Sequence, residues 1–342
     1  MSRMEEALKE LVLGHDLPAD LAGACFEEIM DGSVDGALLG GFLIALRMKG
    51  ETPEEIAAFA AAMRERSVGL PGARDEELLD TCGTGGDDLG GFNVSTLTAL
   101  VAAGAGAKVA KHGNRASSGR CGSADLLAHL GVRIDADPGT VARCLDEAGI
   151  GFLFAPAMHP AVKGATPARR ALGVRTVFNL LGPLSHPARA ASQLMGVFDR
   201  RWVEPAARAL AALGSRRALV VHGQDGMDEI TTTAPTWVAE LSNGQVRSYE
   251  IDARDFGIAR ADAAALRGGG PEQNAAIARS ILSGERGPRR DLVVANAAAA
   301  LWVAGKGADL GEGKRLAEQS IDTGAAARKL DDLVRLTGEK ER

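Results

Sequence analysis

A chain of 342 residues is long enough to bury a large core and to form two domains. Apolar residues at 46% and charged residues at 25% are ordinary globular values, which excludes disordered, collagenous and membrane-embedded classes. A net charge of −6 speaks against a generic nucleic-acid binder, which needs a basic field, so an anionic ligand has to be caught by a local arrangement of groups.

Residues 1–70 carry apolar side chains at three- and four-residue spacing over Met4–Leu13, Pro18–Met30, Asp35–Met48 and Pro53–Glu65, the pattern of a small all-helical domain. Thr52-Pro53-Glu54-Glu55 has the features of a helix start: a capping hydroxyl, proline at the first helical position, then acidic residues. The opening Met1-Ser2-Arg3-Met4-Glu5-Glu6 reads as helix rather than signal peptide. No apolar run reaches the roughly eighteen residues of a membrane span. The character changes at Leu70-Pro71-Gly72. Short apolar strands are expected over Leu78–Cys82, Ala107–Ala110, Gly151–Phe154 and Ala218–His222, alternating with helices over Ser95–Gly104, Ala124–Leu130, Thr140–Ala148 and Val203–Leu213. This alternation predicts a larger α/β domain over residues 75–340, with a mostly parallel central sheet flanked by helices. Gln245–Ile251 belongs to an extra strand pair, and Asn274–Leu282, Leu292–Ala304 and Gly313–Leu336 are closing helices. The cysteines at 25, 82, 121 and 144 have neither CxxC spacing nor histidine neighbours, so free buried thiols in a reducing cytoplasm are expected.

Two glycine-rich loops carry the chemistry. The first, Gly83-Thr84-Gly85-Gly86-Asp87, follows a strand and leads through Phe92-Asn93-Val94-Ser95-Thr96 into a helix. The second runs from Lys111-His112-Gly113-Asn114-Arg115 through Ser117 and Ser118 to Ser123. Amides at a helix start point outward unsatisfied and carry about half a positive charge, so two such corners in tandem suit a doubly phosphorylated ligand. Asp87 does not suit a pure phosphate cradle; it fits a sugar hydroxyl, a metal-bound water or a backbone amide. Asp228-Glu229 follows the strand ending at His222, and in a loop both carboxylates can face one site. Taken alone it reads as an exposed acidic turn; beside two phosphate loops it suits Mg²⁺, which takes few protein oxygens and keeps water or phosphate for the rest. Arg169 and Arg170 lie in a stretch bounded by proline and glycine. One of them can grip a carboxylate through paired hydrogen bonds while the other faces solvent.

Residues 80–131, 150–188 and 218–231 resemble the anthranilate phosphoribosyltransferases. The likeness rests on the two loops, on Asn93-Val94-Ser95-Thr96, Gly122-Ser123-Ala124-Asp125, His159-Pro160-Ala161, Arg175-Thr176-Val177-Phe178-Asn179-Leu180-Leu181-Gly182-Pro183 and Asp228-Glu229-Ile230, in matching order and spacing. The N-terminal Ala45-Leu46-Arg47-Met48-Lys49-Gly50 adds to it. The resemblance implies a fold of the nucleoside phosphorylase and phosphoribosyltransferase kind, with helices from about 165–190 joining the helical domain. It implies transfer of a phosphoribosyl group from 5-phosphoribosyl 1-diphosphate to anthranilate in tryptophan biosynthesis, with Mg²⁺. By similarity Gly83, Gly86, Asp87, Gly91, Asn93, Val94, Ser95, Thr96, Lys111, His112, Gly113, Asn114, Arg115, Ala116, Ser117, Ser118, Gly119 and Ser123 surround the sugar diphosphate. Gly83, Asn114 and Arg169 meet anthranilate, and Ser95, Asp228 and Glu229 hold the metal. Asn114 and Arg169 are then catalytic by positioning, and His112 is a candidate for assisting proton removal. A homodimer joined through the helical domain is implied, with no nucleic-acid or membrane partner.

Departures from the family pattern are Gly91 for a threonine or serine, Leu97 for a small residue, Cys121 for a serine and Ser185-His186 for Thr-Asn. None removes a charged ligand. Two other readings remain: a pyrimidine nucleoside phosphorylase, which the paired carboxylates and the arginine segment disfavour, and a non-catalytic nucleic-acid binder, which the acidic balance disfavours.

Overall fold

The computed structural model describes residues 2–71, 77–86, 89–116 and 119–339. Helices α1 (Arg3–Val12), α2 (Ala19–Met30), α3 (Gly36–Lys49) and α4 (Pro53–Glu65) form a bundle whose starts are written into the sequence. Ser2 and Glu5, and again Thr52 and Glu55, cap their helices reciprocally, and Asp35 accepts from the Ala37 amide at 2.9 Å. Glu55 is fully buried yet satisfied: it accepts from the Leu17 and Thr52 amides at 2.8 Å and meets the Lys49 ammonium at 2.9 Å.

Beyond the bundle the chain alternates as expected: β1 (Leu79–Asp80), α5 (Val94–Gly104), β2 (Val109–Gly113), α6 (Ser123–His129), α7 (Pro138–Glu147) and β3 (Ile150–Phe154). Short helices α8 (Ala155–Met158), α9 (Thr166–Leu172) and α10 (Phe178–Leu184) follow, then β4 (Ser192–Gly196), α11 (Val203–Ala212) and β5 (Arg217–Gly223). A hairpin of β6 (Thr236–Ser242) and β7 (Gln245–Ile251) precedes α12 (Pro271–Leu282), α13 (Pro288–Val303), α14 (Leu310–Asp322) and α15 (Ala325–Gly338). Gly313–Leu336 is therefore not one helix: it breaks at Gly324, whose φ of 71° ends one helical course and begins another.

The seven strands are ordered β3-β2-β1-β4-β5-β6-β7, parallel from β3 to β5 and antiparallel beyond. Strand β4 escapes the sequence reading because all five of its positions are buried and two of them are polar, leaving no alternation to detect. Leu194, Leu219 and Val221 pack with α5, α12, α13 and α15, while Met195, Ala218 and Val220 pack with α1–α4, α10 and α11. The bundle thus shares a core with one face of the sheet, through contacts such as Phe26 with Phe178 at 5.3 Å between ring centroids. From β1 the chain runs outward through β2 and β3, then returns to lay β4 on the other side of β1. That reversal opens a crevice at the carboxyl ends of β1 and β4, the place where sheets of this kind take ligands.

Candidate active site

The first glycine loop leaves β1 at this crevice and is stitched to the end of β4. The Thr84 amide donates to Gly196 O, and the Phe198 amide donates to Thr84 Oγ1, each at 2.9 Å. The connection between β5 and β6 brings Asp228 and Glu229 to the same place. Asp228 Oδ2 accepts from the Gly85 amide at 2.7 Å, and Glu229 Oε1 accepts from the Ser95 amide at 3.1 Å. The two neighbouring carboxylates therefore reach the glycine turn and the start of α5 respectively. Glycine is required at Gly196, where a Cβ would overlap the Asp228 carbonyl oxygen, and a Cβ on Gly83 would sit tight against Asp228 Oδ2 at 3.2 Å.

Arginines hold the outer side of the loop. Arg175 donates to Gly86 O and lies 4.4 Å from the Phe198 ring centroid, while Arg47 of α3 donates to the carbonyl of Arg175. The bundle is thereby tied to the loop. Arg169 is half-buried with its guanidinium 4.8 Å from the Phe178 ring centroid. Among the described residues it has no carboxylate or carbonyl partner, and burial lowers its pKa. Arg170 beside it is exposed. An arginine resting on an aromatic face without a counter-ion is prepared for an arriving carboxylate.

The second loop begins later than the sequence suggests. Lys111, His112 and Gly113 complete β2, paired with Phe152, Leu153 and Phe154 of β3, and the loop proper starts at Asn114. Lys111 is buried, its ammonium donating to the carbonyls of Thr81 and His112 at 3.3 and 3.2 Å, so its charge sits behind both loops. His112 is also inside the protein, its ring centroid 5.3 Å from His159 and 5.8 Å from His186, and burial pushes its pKa well below the ordinary imidazole value. Asn114, Arg115 and Ala116 are exposed, and their backbone is organised by Ser123 and Asp125. The Asn114 amide donates to Ser123 Oγ at 3.1 Å, and Asp125 accepts from the Ala116 and Gly122 amides at 2.9 and 3.0 Å and pairs with Arg115 at 2.8 Å. Burial alone would raise the Asp125 pKa, but these partners outweigh it and hold the carboxyl below its ordinary value. Asp125 is a loop-ordering residue the sequence reading did not single out; its signal was an acid three residues beyond Gly122, a capping position.

Thr96 also departs from expectation. Its side chain is buried with an unpartnered hydroxyl, so only its amide can face a ligand, and Val94 is likewise restricted to its backbone. Gly91 lies at the rim, bridged antiparallel to Arg267, and Gly119 is exposed. Asp87, Ser117 and Ser118 lie outside the described residues. Among those described, no group of three or more His, Cys, Asp or Glu side chains forms a metal cage, no helix is long and apolar enough to cross a membrane, and the four cysteines are free thiols.

Residues 5–67 match the glycosyl transferase family, helical bundle domain, and residues 75–327 match the glycosyl transferase family, a/b domain. Fold and site together define a glycosyltransferase of this two-part kind. Among curated relatives, the anthranilate phosphoribosyltransferases of Methanocorpusculum labreanum and Anaeromyxobacter dehalogenans are 50% and 53% identical, each alignment covering 98% of both chains. The crystal structure of the enzyme from Thermus thermophilus superposes with a TM-score of 0.92 at 46% identity, over 97% of this chain and 99% of that one. The Saccharomyces cerevisiae enzyme in complex with PRPP (5-phosphoribosyl 1-diphosphate) and Mg gives 0.86 at 29% identity, over 98% of each. The chain belongs to the anthranilate phosphoribosyltransferase family.

Proposed function

We propose that this protein transfers the phosphoribosyl group of 5-phosphoribosyl 1-diphosphate to the amine of anthranilate, releasing diphosphate in tryptophan biosynthesis. The observation that carries the reading is the meeting of the glycine turn, the start of α5 and both acidic side chains at the crevice between β1 and β4. Cleavage of the C1–O bond leaves a cation-like ribosyl carbon and a heavily charged leaving group. Preorganised amides at Gly83, Gly86 and Thr96 stabilise that separation without reorganising. In the second loop, the Asn114–Gly119 backbone and the Ser123 hydroxyl hold the donor from the other side. Lys111 contributes positive potential from behind. Arg169 and the side-chain amide of Asn114, with the Gly83 backbone, align anthranilate. An aromatic amine is already a neutral nucleophile, so alignment supplies what a strong base would otherwise provide. His112 contributes as a neutral, buried wall rather than as a solvent-facing base.

Asp228, Glu229 and the Ser95 hydroxyl form the hard-oxygen donor set that suits Mg²⁺. The fit is physical: each carboxylate is fixed by a backbone amide, so both are held in place before any cation arrives. Bound Mg²⁺ would supply charge neutralisation for the departing diphosphate.

We assign residues 1–70, joined by helices from about 165–190, to a helical unit and residues 75–340 to the α/β unit. The exposed Val12 and Leu13 at the end of α1, and Met48 on α3, offer apolar surface for a second copy of the chain. Four free thiols, three buried and Cys121 only half-buried, suit a reducing cytoplasm. The test of function is a mixing experiment: anthranilate fluorescence should decay only when the purified protein, 5-phosphoribosyl 1-diphosphate and Mg²⁺ are all present. Phosphorolysis of a pyrimidine nucleoside, with no loss of anthranilate, would overturn the assignment.

A further inference from the structure

Asparagine is a favoured helix cap because its side-chain oxygen takes the amides of the first turn. Asn93 stands at the cap position of α5 and makes no such bond. Its amide is committed sideways: Oδ1 accepts from Asn274 Nδ2 at 3.0 Å, and Nδ2 donates to the carbonyl of Cys121 at 2.9 Å. The direction of this chain is fixed at its far end. Asn274 Oδ1 accepts from the Gly269 amide at 2.7 Å, so only its NH₂ group can face Asn93. Asn93 must then present its oxygen to Asn274, and its own NH₂ is left for Cys121. Asn274 is 2% exposed, so water does not compete for these bonds.

The result is felt at the start of α5. With Asn93 held aside, the Ser95 amide is met by Glu229, and the Thr96 amide has no partner among the described residues. The same network fastens three segments together. Gly269 follows Gly268, whose amide donates to Gly90 O at 2.9 Å and whose missing side chain admits Gly91; Asn93 leads α5; Cys121 belongs to the second loop.

We propose that Asn274 is a positioning residue for the diphosphate: it holds the Asn93 amide out of its capping role, so that the first turn of α5 stays open to a phosphate, and it locks the two glycine loops in register. The proposal rests on the reading above that this helix start faces the sugar diphosphate. It acts through another side chain, so its signature is an affinity effect confined to one substrate.

The test uses the full chain and calorimetric titration with 5-phosphoribosyl 1-diphosphate and Mg²⁺, alongside KM for both substrates. Asn274→Asp keeps an acceptor for the Gly269 amide and removes the NH₂ donor that serves Asn93 and also bonds the Cys121 thiol. It should weaken binding of the diphosphate sugar about tenfold, the effect of one buried hydrogen bond lost with a partner left unmet, and leave the anthranilate KM within about twofold. In an Asn93→Ala background the Asn274→Asp change should have no further effect, because its route is gone. If the buried carboxylate prevents folding, Asn274→Ala gives the same pair of readouts. Unchanged uptake of the diphosphate sugar by the Asn274 variants, equal losses for both substrates, or additive losses in the double variant would overturn the proposal. Failure of the unmodified protein to take up the diphosphate sugar would instead remove the functional reading on which it stands.

Discussion

The Asp228 carboxylate accepts the amide proton of Gly85 at 2.7 Å across 143 residues of chain, while the carbonyl of the same aspartate fills the space that a side chain on Gly196 would occupy. Gly196 ends β4, and Gly85 belongs to the loop that ends β1. Backbone thus meets Asp228 on both sides and the Ser95 amide meets Glu229, and the placement of Asp228 depends on an atom that glycine lacks.

Gly196→Ala tests that placement. The added methyl has to displace the Asp228 backbone, and a misplacement of about 1 Å near the reacting atoms costs on the order of a hundredfold in rate. We expect kcat to fall by roughly that factor at saturating substrates, with a stability loss of about 1–3 kcal/mol from overpacking. Stopped-time assays and urea unfolding measure the two. A variant with unchanged kcat would show that Asp228 is placed by something else.

Arg169→Ala should separate the two substrates. Removing a charge-assisted partner of a carboxylate costs about 1.5–3 kcal/mol, so the anthranilate KM should rise roughly ten- to a hundredfold while that of the diphosphate sugar stays close to its original value. Arg169→Lys should recover little, since an ammonium cannot reproduce the planar fork. Arg170→Ala, on the exposed neighbour, should change neither constant. Equal rises for both substrates would defeat the assignment of Arg169.

The buried histidines make stability fall in mild acid. Burial pushes His112 well below its ordinary value and His159 down to about 4; it also lowers His186, although Asp80 pulls that ring the other way. The unfolded chain takes up these protons near pH 6.5, the folded chain only at lower pH. Stability is thus complete above about pH 7 and falls as pH drops from about 6.5 toward 4. Urea midpoints across that window report the slope, and His186→Asn should make it shallower. An unchanged slope in this variant would place the proton uptake elsewhere.

Glu55→Gln should destabilise without touching catalysis. The carboxylate is fully buried and joined to Lys49 and to two backbone amides; its loss strips a buried charge-assisted hydrogen bond, while Lys49 keeps Asp16 at 2.7 Å. The cost is about 1–3 kcal/mol in unfolding free energy. Both KM values measured well below the unfolding temperature should be unaffected; a shift in either would extend the site into the bundle.

Most helices and the glycine turns were legible in the sequence because each has a local cause: caps at Ser2, Asp35 and Thr52, amphipathic spacing in the bundle, and glycines at strand ends. Strand β4 was not, since Ser192 and Gln193 are buried polar residues satisfied only by the tertiary fold, as in the bond from Gln193 Nε2 to Pro183 O at 2.8 Å. The start of the second loop was misjudged for a similar reason. A lysine and a histidine next to a glycine look like loop, and only the pairing with β3 carries them into the sheet. Asn274 lay beyond the sequence reading because its partners, Asn93 and Gly269, are brought together by folding rather than by spacing.

The two arginine bonds described above, from Arg47 to the backbone of Arg175 and from Arg175 to Gly86, limit how freely this protein can be recombined. A chimera that borrowed its first seventy or so residues from a distant homologue would keep the bundle tied to this turn only if the donor supplied an equivalent of Arg47. Evolution can exchange these two parts as modules only while that shared seam is inherited with them.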